Sequence, residues 1–206
     1  LREEPLRDFV NRFLKRMFDL VFSISVILLV LSWLYPIIAI LIKLTSKGPV
    51  LFTQLRSGVN NEEFLCYKFR SMSLSSDSDT KQATQGDARI TRFGSFLRKS
   101  SLDEFPQFFN VVMGDMSIVG PRPHMLLHTE EYSELINKYM VRQLVKPGIT
   151  GVAQVRGYRG ETKELEDMEG RVRLDVWYIE NWSLSLDINV IFQTIWNMFK
   201  GDEKAF

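Results

Sequence analysis

The chain has 206 residues, enough for one domain with a real core or a smaller domain plus an appendage. Its 26 basic and 25 acidic residues leave a net charge of +1, which gives no global signal for nucleic acid. A single cysteine, Cys66, excludes an internal disulfide framework and fits a reducing compartment, and a first residue of Leu rather than Met fits a processed or excised chain.

Leu1 to Arg16 is polar and basic, with Phe9, Val10, Phe13 and Leu14 spaced for one helical face. This suits an amphipathic lead-in along a membrane surface, or the start of an ordinary solvated helix. Leu20 to Ile42 is then uncharged. As a straight helix it would be about 35 Å long, against a hydrocarbon core of roughly 30 Å. Pro36 removes the hydrogen bond to the carbonyl of Ser32 and predicts a kink there, with the Ser32 hydroxyl available to satisfy part of the freed polarity. Arg12, Lys15 and Arg16 precede the run and Lys43 and Lys47 follow it, so the positive-inside tendency puts both flanks on the cytoplasmic side. The pattern favours a bent helix that enters and leaves by one face; a straight crossing is the alternative. No small-residue cleavage site follows, so the run is not a signal peptide.

After Gly48-Pro49 the pattern shortens. Val50 to Gln54 and Phe64 to Phe69 flank Gly58-Val-Asn-Asn61 as a hairpin. Ser71 to Gly86 is polar and predicts a mobile loop. Asp87 to Lys99 predicts a helix, and so do Tyr132, Leu135, Ile136, Tyr139 and Gln143. Lys146 to Gly151 reads as a turn, and Val152 to Val155 as a short extended piece. A long helix follows from about Thr162. A last one carries Ile188, Ile191, Phe192, Ile195, Trp196 and Phe199 at helical spacing, for the membrane interface or for the core.

The chemistry centres on Asp103 and Glu104. Ser101-Leu-Asp-Glu104 matches a capping box, but Pro106 would then fall at the fifth helical position, so a helix starting near Asp103 fits better. That start places Asp103 at the positive end of a helix dipole. Lys68, Arg70, Arg122, Arg156 and Arg159 are cations suited to phosphate, on strand ends and in loops stiffened by Pro or punctuated by Gly. His124 and His128 have metal-ligand spacing, but Met125 stands where a zinc-protease motif needs Glu.

Lys15-Arg-Met-Phe-Asp19, Lys68-Phe-Arg-Ser-Met72, Ser101-Leu-Asp-Glu-Phe-Pro-Gln107, Gly114-Asp-Met-Ser-Ile-Val-Gly-Pro-Arg-Pro123 and Pro147-Gly-Ile-Thr-Gly151 resemble the bacterial sugar transferases. These are the monotopic phosphoglycosyl transferases, and the likeness runs from about Arg12 to Lys200. It implies transfer of a sugar-1-phosphate from a nucleoside diphosphate sugar to a polyprenyl phosphate. Asp103 would be the nucleophile, forming a phosphosugar–aspartyl intermediate, and Glu104 would help bind Mg²⁺. Lys68 and Arg122 match basic positions of the family and Asp175 an acidic one, although an i, i+4 pair with Arg171 would also account for Asp175.

Two features depart from small members of the family. The kink proline is Pro36 rather than the residue after Ser32, and Arg156 and Arg159 compete for one basic role. The run Arg156 to Thr162, with Tyr178 to Ser183, resembles instead the branch that moves glucose-1-phosphate from UDP-glucose to undecaprenyl phosphate for exopolysaccharide. Members of that branch usually carry upstream membrane helices and an extra domain. Galactose and N-acetylhexosamines are alternative sugars, and a non-catalytic membrane adaptor is the alternative of another class.

The expected fold is α+β, mainly α: a re-entrant, kinked membrane helix, amphipathic interfacial helices and a small β-hairpin, making a monotopic membrane protein. Residues 1–47 would form the lead-in and membrane helix, and 48–206 a catalytic domain on the cytoplasmic face of a bacterial inner membrane. The implied partners are UDP-sugar, polyprenyl phosphate and membrane lipid, with the oligomeric state left open.

Overall fold

The computed structural model describes residues 4–73, 87–158, 160 and 165–200, leaving aside the side chains of His128 and Phe199. Most of the expected polar loop, Arg159 and the start expected for the long helix near Thr162 lie outside these residues. The chain opens with α1 (Phe9–Val26) and α2 (Ser32–Thr45), joined through a π-helical stretch, Ile27–Leu31. A hairpin follows, β1 (Leu51–Ser57) and β2 (Glu63–Phe69), then α3 (Arg92–Lys99), a 3-10 turn at Leu102–Glu104 and α4 (Gln107–Met113). The second half holds β3 (Ser117–Val119), α5 (Leu126–Leu135), a 3-10 segment Tyr139–Leu144, β4 (Gly148–Thr150), α6 (Val152–Val155), α7 (Leu165–Glu180) and α8 (Leu184–Lys200).

The first helix is built inside out for a helix in water. Asp8 caps it, its carboxylate accepting from the Val10 and Asn11 N–H groups. Lys15, Asp19 and Ser23, one turn apart on a single face, are the buried residues of α1. Phe9, Phe13, Met17, Val21 and Ile24 are left exposed, and the apolar exposure continues through Leu29, Trp33, Ile40 and Leu44. A soluble amphipathic helix does the reverse. The buried polar residues are bolted to the rest of the fold. Lys15 Nζ reaches the Val119 carbonyl at 3.0 Å, Tyr178 Oη at 3.1 Å and Asp187 at 2.7 Å. Asp19 accepts from the Ile118 N–H, and Arg16 donates to the carbonyls of Val111 and Val112. Together Phe9–Thr45 is long and apolar enough to cross a membrane.

The irregularity in this helix sits a turn earlier than the proline predicts. The π-helical stretch ends just before Ser32, whose N–H bonds the Ile27 carbonyl, and Pro36 lies inside α2. The Ser32 hydroxyl donates to the Leu28 carbonyl at 2.7 Å and the Trp33 indole to that of Leu29 at 2.9 Å. Ser32 thus serves a carbonyl one turn back rather than its own. Arg70, which spacing offered to phosphate, instead grips the far end of α2 through the carbonyls of Ser46 and Lys47.

β1 and β2 pair antiparallel in the register Leu51↔Phe69 to Ser57↔Glu63. Asn60 and Asn61 take the left-handed conformations that close the connection. Because strand side chains alternate, Phe64, Cys66 and Lys68 share one face with Gln54 and Arg56. α4 docks on the outer edge of β2 through Asn110, which is fully buried. Its Oδ1 accepts from Tyr67 N–H at 3.0 Å, and its Nδ2 donates to Leu65 O at 2.7 Å and to Asp115.

Several expected elements differ. The helix expected from Asp87 starts at Arg92, with Thr91 as its cap. The helix expected through Tyr132 and Gln143 is broken by Lys138, which is left-handed at φ 64, into α5 and the 3-10 segment. Val152 to Val155 is a helical turn rather than extended. The expected turn at Lys146 to Gly151 holds β4, which pairs parallel with β3. Their backbones meet so closely that a Cβ on Gly148 would lie 2.1 Å from the Gly120 nitrogen. α8 puts Val190 in the core, while Ile188, Phe192 and Trp196 are exposed.

Asn110→Ala strands the Tyr67 N–H and the Leu65 carbonyl together, and should cost about 2–3 kcal/mol. Thermal melting in detergent micelles measures this. An unchanged midpoint would mean that the side chain does not hold α4 to the hairpin.

Candidate functional site

The site is built on the short turn between α3 and α4. Ser101 adopts a left-handed conformation, φ 56, and does not cap the following residues through its side chain, so the capping box is not formed. Leu102–Glu104 is a single 3-10 turn, closed by Glu104 N–H to Ser101 O and Phe105 N–H to Leu102 O. Pro106 sits at the N-cap of α4, so the two carboxylates precede the helix instead of opening it. Phe105 packs edge-on against Phe108, and Phe108 meets Phe22 of α1. The turn is therefore wedged between the apolar helix and the hairpin.

Asp103 and Glu104 are both buried, each 8% exposed. Glu104 is engaged chiefly through one oxygen. Its Oε1 accepts from Lys68 Nζ and from Arg122 Nη2, each at 2.7 Å, and Oε2 has a longer contact to Arg122 Nη1 at 3.3 Å. Burial alone would raise its pKa, but Arg122 and Lys68 overcome that and hold it well below the usual carboxylate range. Asp103 has the opposite fate. Its carboxylate accepts no hydrogen bond from the described residues, and burial, followed by the adjacent Glu104 charge, pushes its pKa up to about 6. Lys68, Arg98 and Arg122 pull the other way without winning. One carboxylate is thus locked as an anion and its neighbour is left under-compensated.

The sequence-predicted cations separate. Lys68, on the inner face of β2, and Arg122, between two prolines after β3, converge on Glu104. The Arg122 loop is fixed from three sides. Gly148 N–H donates to Pro121 O, Ser57 N–H to His124 O, and Arg142 Nη2 to the Arg122 carbonyl at 2.9 Å. Asp175 lies behind this loop rather than in the site. It is 2% exposed and pairs with Arg142 Nε at 2.8 Å, not with Arg171 as helical spacing offered. Arg156 is exposed and makes no hydrogen bond to the carboxylates, and Arg159 lies outside the described residues. Sequence reading missed Arg98, in the last turn of α3, and Arg56, whose pKa burial lowers to about 10. The signal for Arg98 was its place just upstream of Asp103. For Arg56 it was the cross-strand register that puts it on the Lys68 face.

His124 is not a metal ligand in this arrangement. It precedes α5, and its Nδ1 lies 2.9 Å from Arg142 Nη1 and 2.6 Å from Tyr139 Oη. A guanidinium only donates, so Nδ1 is an acceptor. Among the described residues no group of three His, Cys, Asp or Glu could hold an ion by protein donors alone. Asp103 and the lightly used Oε2 of Glu104 are the side-chain oxygens left to share a cation with a phosphate ligand.

A family profile described as bacterial sugar transferase matches residues 10–201. The chain is 50% identical over 202 residues to the UDP-glucose:undecaprenyl-phosphate glucose-1-phosphate transferase of Klebsiella pneumoniae, covering 98% of this chain and 42% of that protein. The protein of the same name from Escherichia coli K12 is 51% identical over 202 residues with the same coverage. A UDP-N-acetylgalactosamine-undecaprenyl-phosphate N-acetylgalactosaminephosphotransferase of Aeromonas hydrophila is 43% identical over 193 residues, covering 93% of this chain and 45% of that one. The chain spans less than half the length of these relatives.

The raised pKa of Asp103 has a stability consequence. Its protonated form is the one the fold prefers, so its contribution is fully present below the unfolded value of 3.8 and lost as pH rises through about 6. Asp103→Asn removes that loss. At pH 8 the variant should be more stable than the parent by on the order of 2–3 kcal/mol, a gap that closes towards pH 4. Melting curves across this range decide it; a variant less stable at pH 8 would show that the ionised carboxylate is compensated.

Proposed function

The chain belongs to the bacterial sugar transferase family, and we propose that it moves glucose-1-phosphate from UDP-glucose to undecaprenyl phosphate at a membrane surface, as a lipid-linked step of exopolysaccharide synthesis. The observation that carries this reading is the division of labour in one turn: Glu104 tied to two cations, Asp103 buried beside it with no hydrogen bond from the described residues. A carboxylate that its surroundings do not stabilise is a better nucleophile than one held by arginine.

In the first step a carboxylate oxygen of Asp103 attacks the sugar-bearing phosphorus. The bond from that phosphorus to the bridging oxygen breaks, and UMP leaves with the electron pair. In the second, an oxygen of the lipid phosphate attacks the same phosphorus. The bond to Asp103 breaks and the carboxylate is regenerated. Two anions need not meet directly without help, because Lys68, Arg98 and Arg122 lie around the point of attack. Mg²⁺ uses one or two carboxylates together with phosphate oxygens, and Glu104 Oε2 with Asp103 would hold it. When bound, it supplies charge neutralisation to the diphosphate. The lead-in and the apolar helix would anchor the site, with both flanks on the cytoplasmic side of the inner membrane and the helix re-entrant. Lys15, Arg16 and Asp19 before the run and Ser46 and Lys47 after it are all tied to the same folded body. N-acetylgalactosamine is the second reading of the sugar, favoured by the name of the Aeromonas relative.

Intact-protein mass spectrometry with UDP-glucose and Mg²⁺ should show a phosphohexose adduct. The adduct should be absent from Asp103→Asn, whose turnover should fall by about a thousandfold or more. UMP release across a panel of UDP-sugars should be fastest with UDP-glucose. An Asp103→Asn protein that keeps full activity would end the covalent mechanism, and a faster rate with an N-acetylated sugar would reassign the substrate.

A further inference from the structure

A groove of about 270 Å³ runs from the carboxylate turn along the apolar helix. Phe22, Val26 and Val30 form one wall, and Ile191, Ile195 and Met198 of α8 the other. Phe105 and Phe108 lie along it, and Ser101 and Glu104 stand at its head. We propose that this groove receives the first isoprene units of the polyprenyl phosphate acceptor and delivers its phosphate to the intermediate on Asp103. The proposal rests on the transfer reaction above.

Three observations select this occupant. The first is polarity. Among the described residues Glu104 is the only charged one in the lining, and it lies beside Asp103 in the turn. Thr150 and Thr194, which also line the groove, spend their hydroxyls on each other at 2.7 Å, and Thr194 donates to Val190 O. Hydroxyls so used leave methyl groups as the surface. Ser101, Gln154 and Asn197 are the other polar residues of the lining, too few for the many donors and acceptors of a nucleotide or a hexose, whereas an isoprenoid carries none. The ligand that fits is charged at one end and hydrocarbon along the rest.

The second is continuity. Both walls belong to elements with exposed apolar residues: Val21, Ile24, Leu28 and Leu29 around the first wall, and Ile188, Phe192 and Trp196 on α8. A long lipid could leave the groove into the bilayer without crossing a polar rim. The third is size. A groove of about 270 Å³ is small beside a whole polyprenol chain, so it takes only the units next to the phosphate. The rest of a polyprenol would stay in the membrane. At the head, Lys68 and Arg122, already gathered by Glu104, supply positive charge for the incoming phosphate.

Filling the groove should separate the two half-reactions. Val155→Trp and Ile195→Trp, in nanodiscs of phosphatidylethanolamine and phosphatidylglycerol, should still form the phosphohexose adduct from UDP-glucose. Transfer to undecaprenyl phosphate should drop about tenfold or more, through a raised acceptor KM. Benzoylphenylalanine in place of Ile195 should photocrosslink radiolabelled undecaprenyl phosphate, and the same residue in place of Leu127, exposed on α5, should not. Filled variants that transfer at the parental rate would overturn the proposal, as would crosslinks at position 195 carrying only phospholipid, which would make the groove a packing seam for bulk lipid. If the parent forms no adduct, the covalent reading has failed instead, and the crosslink alone decides the groove.

Discussion

Two neighbouring buried carboxylates in one turn cannot both be compensated by the same few cations, and the structure resolves the conflict by choosing. Lys68 and Arg122 converge on Glu104 at 2.7 Å each, and the charge they stabilise there adds to the cost of charging Asp103. The asymmetry needs both cations to approach from fixed directions. Lys68 comes from the inner face of a hairpin strand, and Arg122 from a loop flanked by prolines. Most of the surrounding architecture serves to hold those two approaches at the same turn. Asn110 ties α4 to the hairpin, so that the turn and Lys68 cannot drift apart. The close β3–β4 contact and the Arg142–Asp175 pair hold the Arg122 loop from behind.

The same logic explains why the apolar helix carries its polar residues inward. Lys15 and Asp19 take hold of β3, the strand that launches the Arg122 loop, and Arg16 covers the last carbonyls of α4, the helix that follows Asp103. The apolar helix is therefore fastened to both halves of the site by charged contacts in a low-dielectric setting, where hydrogen bonds are strong and orphaned partners costly. The ion pair of Lys15 with Asp187 brings α8 into the same assembly. As the membrane anchor proposed above, such a helix would fix the depth and angle of the site relative to the lipid, which a flexible tether would not.

Much of this was legible in the sequence wherever a signal was local. The uncharged run, the hairpin, the last amphipathic helix and the two carboxylates each declare themselves through periodicity or residue type. What failed were inferences that needed a partner distant in sequence. Gly148 looked like a turn residue until its strand was seen to pair with β3. Asp175 looked like a ligand or an i, i+4 partner, and its ion pair is with Arg142, from another element. Arg70 had every property of a phosphate ligand and is spent on the end of α2. Pro36 marked the right helix, but the irregularity is a π-helical stretch that lies before the turn its missing N–H leaves loose.

Arg98 and Arg56 show the other side of the same limit. Charge alone does not reveal which arginines a fold turns inward; the cross-strand register and the position of α3 do. Arg56 and Arg98 are both half-buried, and their charges act on the same carboxylate pair. On the proposed reading an anionic ligand would meet these cations from the polar side, while a hydrocarbon tail approaching from the apolar side adds no charge. On that reading, polar and apolar ligands would meet at one carboxylate turn, each from the side its chemistry allows.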